Sequence, residues 1–283
     1  MPGSLCEATT NRSQAIDHRP LPIGLPSVIL GTQSLAISFA KDKAKRVTDE
    51  PLPESAESAA AEPQVDPYPG DTLPAALARH QIQLADDRVQ VLDRYCQLLW
   101  EWNEKINLTR HTTYEKFVTR DLVDTLQLAS LVHPQEEILD VGSGGGVPGL
   151  TLAILRPDLE ITLSETTGKK ARVLEDLVKK LQLPVPVFNA RTETLLDDTR
   201  WDALTIRAVG PLWQLLTWFR PHWASITRLL VIKGPKWKEE HAEASRRGLL
   251  RELECKVGAE YPLAGTESNS VILKVWHQGN RER

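Results

Sequence analysis

The apolar side chains of residues 91–106 recur every three or four positions, with polar residues between them. This spacing places the apolar side chains along one side of an α-helix. The same period returns over residues 114–132, and a shorter stretch of it covers residues 73–84. The pattern predicts a helical N-terminal cap, which we assign to residues 72–134.

After Pro134 short β-rich runs alternate with helical patterns. Alternation of this kind predicts an α/β fold in which helices cover both faces of a parallel sheet. The predicted strands cover residues 137–141, 160–164, 185–189, 203–207 and 229–233. The predicted helices cover about 148–155, 169–181, 212–220 and 238–251. Two more strand-like runs, 254–261 and 270–276, predict a hairpin at the sheet edge. We assign this sheet domain to residues 135–277.

Composition sets both ends of the chain apart from this region. Residues 1–71 are rich in Pro, Ala and Glu, hold 6 Lys and Arg against 10 Asp and Glu, and predict a largely disordered acidic extension. Residues 278–283 predict a short disordered tail. The whole chain has a net charge of −4, so the charges after residue 71 balance. Any nucleic-acid binding must therefore use a local basic surface.

Several classes of protein are disfavoured by what the sequence lacks. No apolar stretch approaches the roughly 20 residues that cross a bilayer, and prolines and charges interrupt residues 1–40, so we expect neither a membrane span nor a signal peptide. Cys6, Cys96 and Cys255 are odd in number and far apart, and the seven histidines form no ligand pattern. We expect a cytoplasmic monomer without a structural metal.

The stretch LDVGSGGGVPG, residues 139–149, directly follows the first predicted strand. Gly142, Gly144 and Gly146 let the backbone turn sharply and let a ligand lie against it. Pro148 stands where the next helix should begin. The stretch predicts a nucleoside-type cofactor at the carboxyl end of the first strand.

Two classes of cofactor fit this loop. Gly144, Gly146 and Gly149 satisfy the G-x-G-x-x-G fingerprint of dinucleotide sites. Glu165 ends the second predicted strand and suits the ribose diol of a dinucleotide or of S-adenosylmethionine. Asp140 favours S-adenosylmethionine, because a carboxylate near the loop would repel a pyrophosphate but tolerate a cationic sulfonium. An NAD(P)-dependent oxidoreductase is the alternative.

Seven segments between Trp100 and Gly234 extend this pattern beyond the loop. They read WEWNEKINLT, RDLVDTL, LDVGSGGGVPGLTLAI, GKKARVLEDL, ARTETL, IRAVGPL and LLVIKG. In this order they resemble the motifs of the bacterial small-subunit ribosomal RNA guanine methyltransferases, also called glucose-inhibited division protein B. The resemblance implies a Rossmann-like methyltransferase fold, S-adenosylmethionine as the cofactor, and formation of 7-methylguanine in small-subunit (16S) ribosomal RNA.

The expected cofactor-binding residues are Gly142, Gly144, Val147, Glu165, Thr192, Glu193 and Arg207. The resemblance implies Gly142, Val147, Thr192, Glu193 and Arg207. Gly144 is expected from its place in the loop, and Glu165 from its place at the end of the second predicted strand. Thr192 and Glu193 would meet the adenine edge, and Arg207 would face the cofactor carboxylate or the incoming RNA. Two of the seven have plain alternatives: Glu193 as a solvated helix-start residue, and Arg207 paired on the surface with Asp202 or Asp140.

The family commonly has the motif R-H-x-x-D-S where this chain reads RDLVDT, so Asp121 stands in place of a histidine. The changed charge would be balanced by Arg120 or His111. RNA capture needs cations for phosphates at the carboxyl-end rim of the sheet. The expected substrate-binding residues are Asn103, Asn107, Arg120 and Lys233. Asp121 keeps open a second alternative, a non-catalytic RNA-binding assembly factor with the same fold.

The expected chemistry is direct methyl transfer. N7 of guanine carries an exposed lone pair, so transfer requires in-line approach to the sulfonium and no proton removal. No catalytic base is expected, and the sequence contains neither the N-P-P-Y or D-P-P-Y motif of amino-group methylation nor the Pro-Cys dipeptide of carbon-5 attack. The expected partner is small-subunit ribosomal RNA, either free or within a partly assembled 30S subunit.

Overall fold

The computed structural model describes residues 67–280. Most of the predicted acidic extension, and the last three residues of the predicted tail, lie outside the described residues. The described part begins close to the first helix, since Asp71 accepts a hydrogen bond from Arg79 at 3.1 Å. The helices are α1 (Leu73–Arg79), α2 (Asp86–Asn103), α3 (Tyr114–Lys116), α4 (Val123–Ala129), α5 (Gly149–Leu155), α6 (Gly168–Leu181), α7 (Thr192–Leu196), α8 (Leu212–Phe219) and α9 (Trp237–Arg246).

A π-helical turn, Phe117–Leu122, joins α3 to α4, so residues 114–129 form one continuous helical segment. Its start is capped by Thr113, whose hydroxyl accepts a hydrogen bond from the Lys116 N–H at 3.3 Å. Wide turns of this kind occur often at functional sites. Here the turn contains Asp121 and lies just before Asp124, and both side chains face the sheet.

Seven strands form one mixed sheet in the order β3-β2-β1-β4-β5-β7-β6. The strands are β1 (Glu137–Val141), β2 (Glu160–Ser164), β3 (Val187–Phe188), β4 (Trp201–Arg207), β5 (Ile226–Lys233), β6 (Leu253–Pro262) and β7 (Asn269–His277). The first five run parallel, while β7 is antiparallel to both β5 and β6. The predicted α/β fold and terminal hairpin are confirmed. The strand order reverses between β1 and β4, which is where ligands bind in open α/β sheets.

Each face of the sheet is covered by its own hydrophobic core. One core joins the cap to α5 and α6, with Leu92, Phe117 and Leu174 fully buried in it. The other core lies under α8 and α9 on the opposite face. The cap therefore shares its core with the sheet, which fixes the position of the cap above the carboxyl end of β1.

Most bounds shift by up to three residues, and three elements differ more from the sequence-based expectation. Strand β3 has two residues instead of five, because Pro186 cannot donate to a strand ladder. Helix α9 ends at Arg246 instead of residue 251, near Gly248, whose φ of +71° turns the chain. Helix α7 is not among the predicted helices, although its start at Thr192 agrees with the alternative that Glu193 is a helix-start residue.

Candidate functional site

The glycine loop, residues 142–149, connects β1 to α5. Gly142 and Gly144 have φ angles of +65° and +55°, which L side chains rarely adopt. A Cβ on Gly142 would also lie 3.0 Å from a methyl group of Val209 in the loop after β4. Gly149 is required for another reason, since its Cβ would lie 2.6 Å from Asp140 Oδ2. The loop thus needs glycine both for its turn and for close packing of α5 on the sheet.

Asp140 is buried beneath the glycine loop, with 1% of its surface exposed. Its Oδ1 accepts a hydrogen bond from the Thr205 hydroxyl at 2.7 Å, and its Oδ2 has no hydrogen-bond partner. Burial raises the pKa of Asp140 to about 6, although the Thr205 bond acts in the opposite direction. Asp140 points at Gly149 and shapes the loop from below.

Glu165 lies at the end of β2 beside the loop. Its Oε2 accepts a hydrogen bond from the Gly144 N–H at 3.0 Å, and its Oε1 accepts one from the Thr167 N–H at 2.8 Å. Each carboxylate oxygen has a further lone pair. Glu165 is therefore placed to receive ribose hydroxyls while it holds the loop.

Thr192 and Glu193 begin α7, next to the end of β2. The Thr192 hydroxyl is buried and lies 2.8 Å from the Ser164 hydroxyl, so it belongs to the interior. Glu193 is half-buried at the helix start. Val147 packs against the core shared with the cap. Of these three side chains, those of Val147 and Glu193 are half-buried and reach the surface, whereas that of Thr192 is buried.

Arg207, at the end of β4, is held by two carboxylates from the cap. Its Nη2 donates to Asp121 Oδ1 at 2.6 Å, and its Nε lies 3.0 Å from Asp124 Oδ2. The alternative pairing with Asp202 or Asp140 is wrong. Asp202 lies at the opposite end of β4, about 16 Å away at the usual rise per strand residue, and Asp140 is buried under the loop.

This buried ion cluster extends further on both sides. His111 Nδ1 lies 2.8 Å from Asp121 Oδ1, so His111, one of the two expected partners, contacts Asp121, and Arg207 is a further partner that was not expected. Tyr261 of β6 donates to Asp124 Oδ1 at 2.7 Å. Burial raises the pKa of Asp124, while Arg207 acts to lower it. The cluster joins the cap, β4 and the terminal hairpin at one point.

Tyr95 links the cap to the glycine loop. This fully buried side chain of α2 donates from its hydroxyl to the Gly145 carbonyl at 2.9 Å. Burial raises the pKa of Tyr95 well above its ordinary value, so the hydroxyl stays a hydrogen-bond donor. The sequence placed Tyr95 in the apolar stripe of α2 and gave no sign of this contact.

The four expected substrate-binding residues do not form one surface. Asn103 accepts hydrogen bonds from the backbone of Leu108 at 2.8 Å and of Thr109 at 3.0 Å, so it shapes the loop after α2. Asn107 is exposed in that loop, and Arg120 is half-buried in the π-helical turn. Lys233 comes from another element, the end of β5, where it lines a cavity together with Asp124.

A cavity of about 390 Å³ opens between the carboxyl ends of β4 and β5. It falls within the range of about 300–1,000 Å³ that is typical of small-ligand sites. The lining residues that matter here are Asp124, Arg207, Ala208, Lys233, Gly234 and Glu240. Ala208 has a φ of +56°, and such strained positions are frequent at functional sites. The contact between Val209 and Gly142 places this cavity directly beside the glycine loop.

Other kinds of site find little support in the described part of the chain. Residues 67–280 contain no group of three or more His, Cys, Asp or Glu side chains placed to hold a metal ion. Among the helices described, none combines the length and the apolar character needed to cross a membrane.

A family model described as rRNA small subunit methyltransferase G matches residues 88–258. The ribosomal RNA small subunit methyltransferase G of Rhodopirellula baltica is 53% identical over 188 residues, or 66% of this chain and 81% of that protein. Its counterpart in Chromobacterium violaceum is 36% identical over 171 residues, covering 60% and 82%. That of Halorhodospira halophila is 38% identical over 176 residues, covering 62% and 83%. Because the match runs over more than half of the chain, from the cap through the glycine loop to β6, the protein belongs to the rRNA small subunit methyltransferase G family.

Proposed function

We propose that this protein transfers a methyl group from S-adenosylmethionine to N7 of a guanine in small-subunit (16S) ribosomal RNA. The observation that carries the proposal is the contact between Gly142 and Val209. Val209 lies against Gly142 of the glycine loop, and its chain neighbours Ala208 and Gly210 line the cavity at the carboxyl ends of β4 and β5. A donor and an acceptor bound on the two sides would be neighbours, as direct transfer requires.

The loop fits the cofactor. Gly142 is exposed at the carboxyl end of β1 and, like Gly144, turns its backbone without a side chain in the way. We assign the ribose hydroxyls to Glu165 and the adenine edge to Glu193 and the backbone of Thr192. When bound, S-adenosylmethionine supplies an electrophilic methyl group on its sulfonium. Arg207 lines the cavity instead of the loop, so we assign it to the RNA side.

The residues around the site of methyl transfer contribute by positioning the reactants. Guanine N7 needs no deprotonation, so the protein must hold the base, align it and exclude water, effects that contribute on the order of 7–11 kcal/mol. Arg207 is suited to this task because Asp121 and Asp124 fix its guanidinium from two directions. Tyr95 fixes the glycine loop from the cap side. No general base is proposed.

We propose that the enzyme works as a monomer in the cytoplasm, with ribosomal RNA as its partner. Basic side chains at the start of α6, Lys169, Lys170 and Arg172, lie on the cap side of the sheet and supply phosphate-binding charge. The proposed substrate is this RNA, either free or within a partly assembled 30S subunit.

Mapping 7-methylguanine in small-subunit ribosomal RNA from cells with and without the gene tests the proposal. The mark should disappear with the gene, return with the wild-type chain and stay absent with Gly142→Leu, whose side chain would collide with Val209. Calorimetry should show S-adenosylmethionine binding to the wild type. Tight NADH binding without S-adenosylmethionine binding would support the oxidoreductase alternative, and RNA binding without methyl transfer would support the non-catalytic one. The family match favours neither.

A further inference from the structure

Lys233 and Glu240 form an ion pair on the cavity wall away from the glycine loop. The Lys233 ammonium lies 2.7 Å from Glu240 Oε2 and also donates to the Gly210 carbonyl. The same Oε2 accepts the backbone N–H of Leu212 at 2.7 Å, at the start of α8. The pair is therefore fixed by three elements, β5, α8 and α9, and its side chains are only 10% and 27% exposed.

Each partner has hydrogen-bonding capacity left over. An ammonium has three N–H donors, and Lys233 uses two of them on Gly210 and Glu240. Glu240 Oε1 receives no hydrogen bond from the described residues. A ligand in the cavity therefore meets one charged donor directly beside one charged acceptor.

We propose that this pair selects guanine by its Watson–Crick edge, an inference that rests on the proposed function. Guanine carries the O6 acceptor next to the N1–H and 2-amino donors. Lys233 donates to O6, and Glu240 Oε1 accepts from N1–H or the 2-amino group. Adenine presents the opposite order, an amino donor beside the N1 acceptor, which would leave both protein groups unpaired in a partly desolvated site. Enzymes that act on an extruded base commonly read this edge.

This orientation agrees with the place of the glycine loop. The imidazole ring of guanine, which carries N7, lies on the far side of the base from N1. With N1 held at Glu240, that ring points across the cavity toward Arg207 and Val209 and so toward Gly142. A phosphate fits the cavity less well, since the carboxylates of Asp124 and Glu240 line the same space. Lys233 thus contacts the base, which refines its expected role in substrate binding.

The test compares Glu240→Gln with Glu239→Gln, a matched change of an exposed residue on the same helix. In Glu240→Gln, Lys233 and the Leu212 N–H should still bind the amide oxygen at the position of Oε2. The NH₂ group then takes the position of Oε1 and faces the N1–H of guanine, so two hydrogen-bond donors oppose each other. We expect kcat/KM for unmodified small subunits to fall about 10- to 100-fold in Glu240→Gln and to change less than about twofold in Glu239→Gln. The Kd for S-adenosylmethionine should stay at the wild-type value in both variants, while loss of the ion pair with Lys233 should lower the Tm of Glu240→Gln without unfolding it at the assay temperature.

Base analogues at the mapped guanine give an independent measurement with the wild-type enzyme. Inosine keeps O6 and N1–H and should be methylated within about tenfold of guanine, whereas 2-aminopurine lacks both and should not be methylated. The inference is overturned if the two variants behave alike, if 2-aminopurine is accepted, or if Glu240→Gln binds the donor more weakly or is partly unfolded at the assay temperature. A wild-type enzyme that methylates no guanine at all would instead contradict the proposed function.

Discussion

Asp140 allows a direct test of how the glycine loop is supported. Its pKa is about 6 in the folded protein, against an ordinary value of 3.8 for an exposed aspartate. Above both values the folded state must hold a buried carboxylate, which at 1.36 kcal/mol per pKa unit costs about 3 kcal/mol of stability. The sign follows from the raised pKa: the folded state binds the proton more tightly, so this cost is nearly absent below pH 4, grows up to about pH 6 and is constant above it.

Asp140→Asn removes this titration. About half of the cost is already present at pH 5, so the free energy of unfolding of the variant minus that of the wild type should rise by about 1 kcal/mol between pH 5 and pH 7. Urea unfolding at several pH values measures this difference. A constant offset from changed hydrogen bonds at Thr205 does not affect the trend. For a domain of this size the corresponding change in Tm difference is about 2–4 °C.

Asp198→Asn is the matched control, because it also removes one negative charge but from an exposed side chain. The argument requires a pH trend in the Asp140 variant that exceeds the trend in this control. A stability difference that is flat from pH 5 to pH 8, or one that falls as the pH rises, would refute the assignment of a buried and strained carboxylate under the loop.

Three further predictions concern the contacts around the loop. Gly149→Ala places a Cβ 2.5 Å from a Leu163 methyl group and should lower the free energy of unfolding by about 1–3 kcal/mol. The control Gly234→Ala, with no atom within 4 Å of its Cβ, should change the free energy of unfolding little. Equal urea midpoints for the two variants would contradict this prediction. Tyr95→Phe removes only a hydroxyl, and it should lower the free energy of unfolding by about 1 kcal/mol in the same assay. It should also weaken donor binding measured by calorimetry. Unchanged values would show that this hydroxyl does not couple the cap to the loop. Asp121→Ala leaves Arg207 with one carboxylate and should cost about 1–3 kcal/mol, so a neutral result would show that the ion cluster does not hold the cap.

Local sequence patterns were sufficient for the parts of the fold that depend on near neighbours. The bounds of β1 and β2 match the prediction residue for residue, because each is a short apolar run between polar turns. The glycine loop was predicted for the same reason. Strand β3 was overestimated because Val187 and its neighbours look like a strand although the adjacent prolines limit pairing.

The site could be predicted only in outline, because its side chains come together through the tertiary fold. Asp121 and Arg207 are 86 positions apart, and their ion pair depends on a wide helical turn that no spacing rule indicated. The orientation of Asp140 depends on Gly149 as much as on the strand that carries it. Glu240 lies in the predicted helix 238–251 among other charged residues, and the sequence gave no reason to connect it with Lys233, which belongs to a different element.

The wide turn between α3 and α4 determines which side chains of α4 face the core and the site. A regular α-helix advances about 100° per residue. Deleting one residue from this turn would rotate α4 by that angle, carrying Leu128 away from the core and Asp124 away from Arg207 at the same time. The length of this segment is therefore as much a determinant of the site as the identity of its side chains, and a one-residue deletion there should be less tolerated than most substitutions within it.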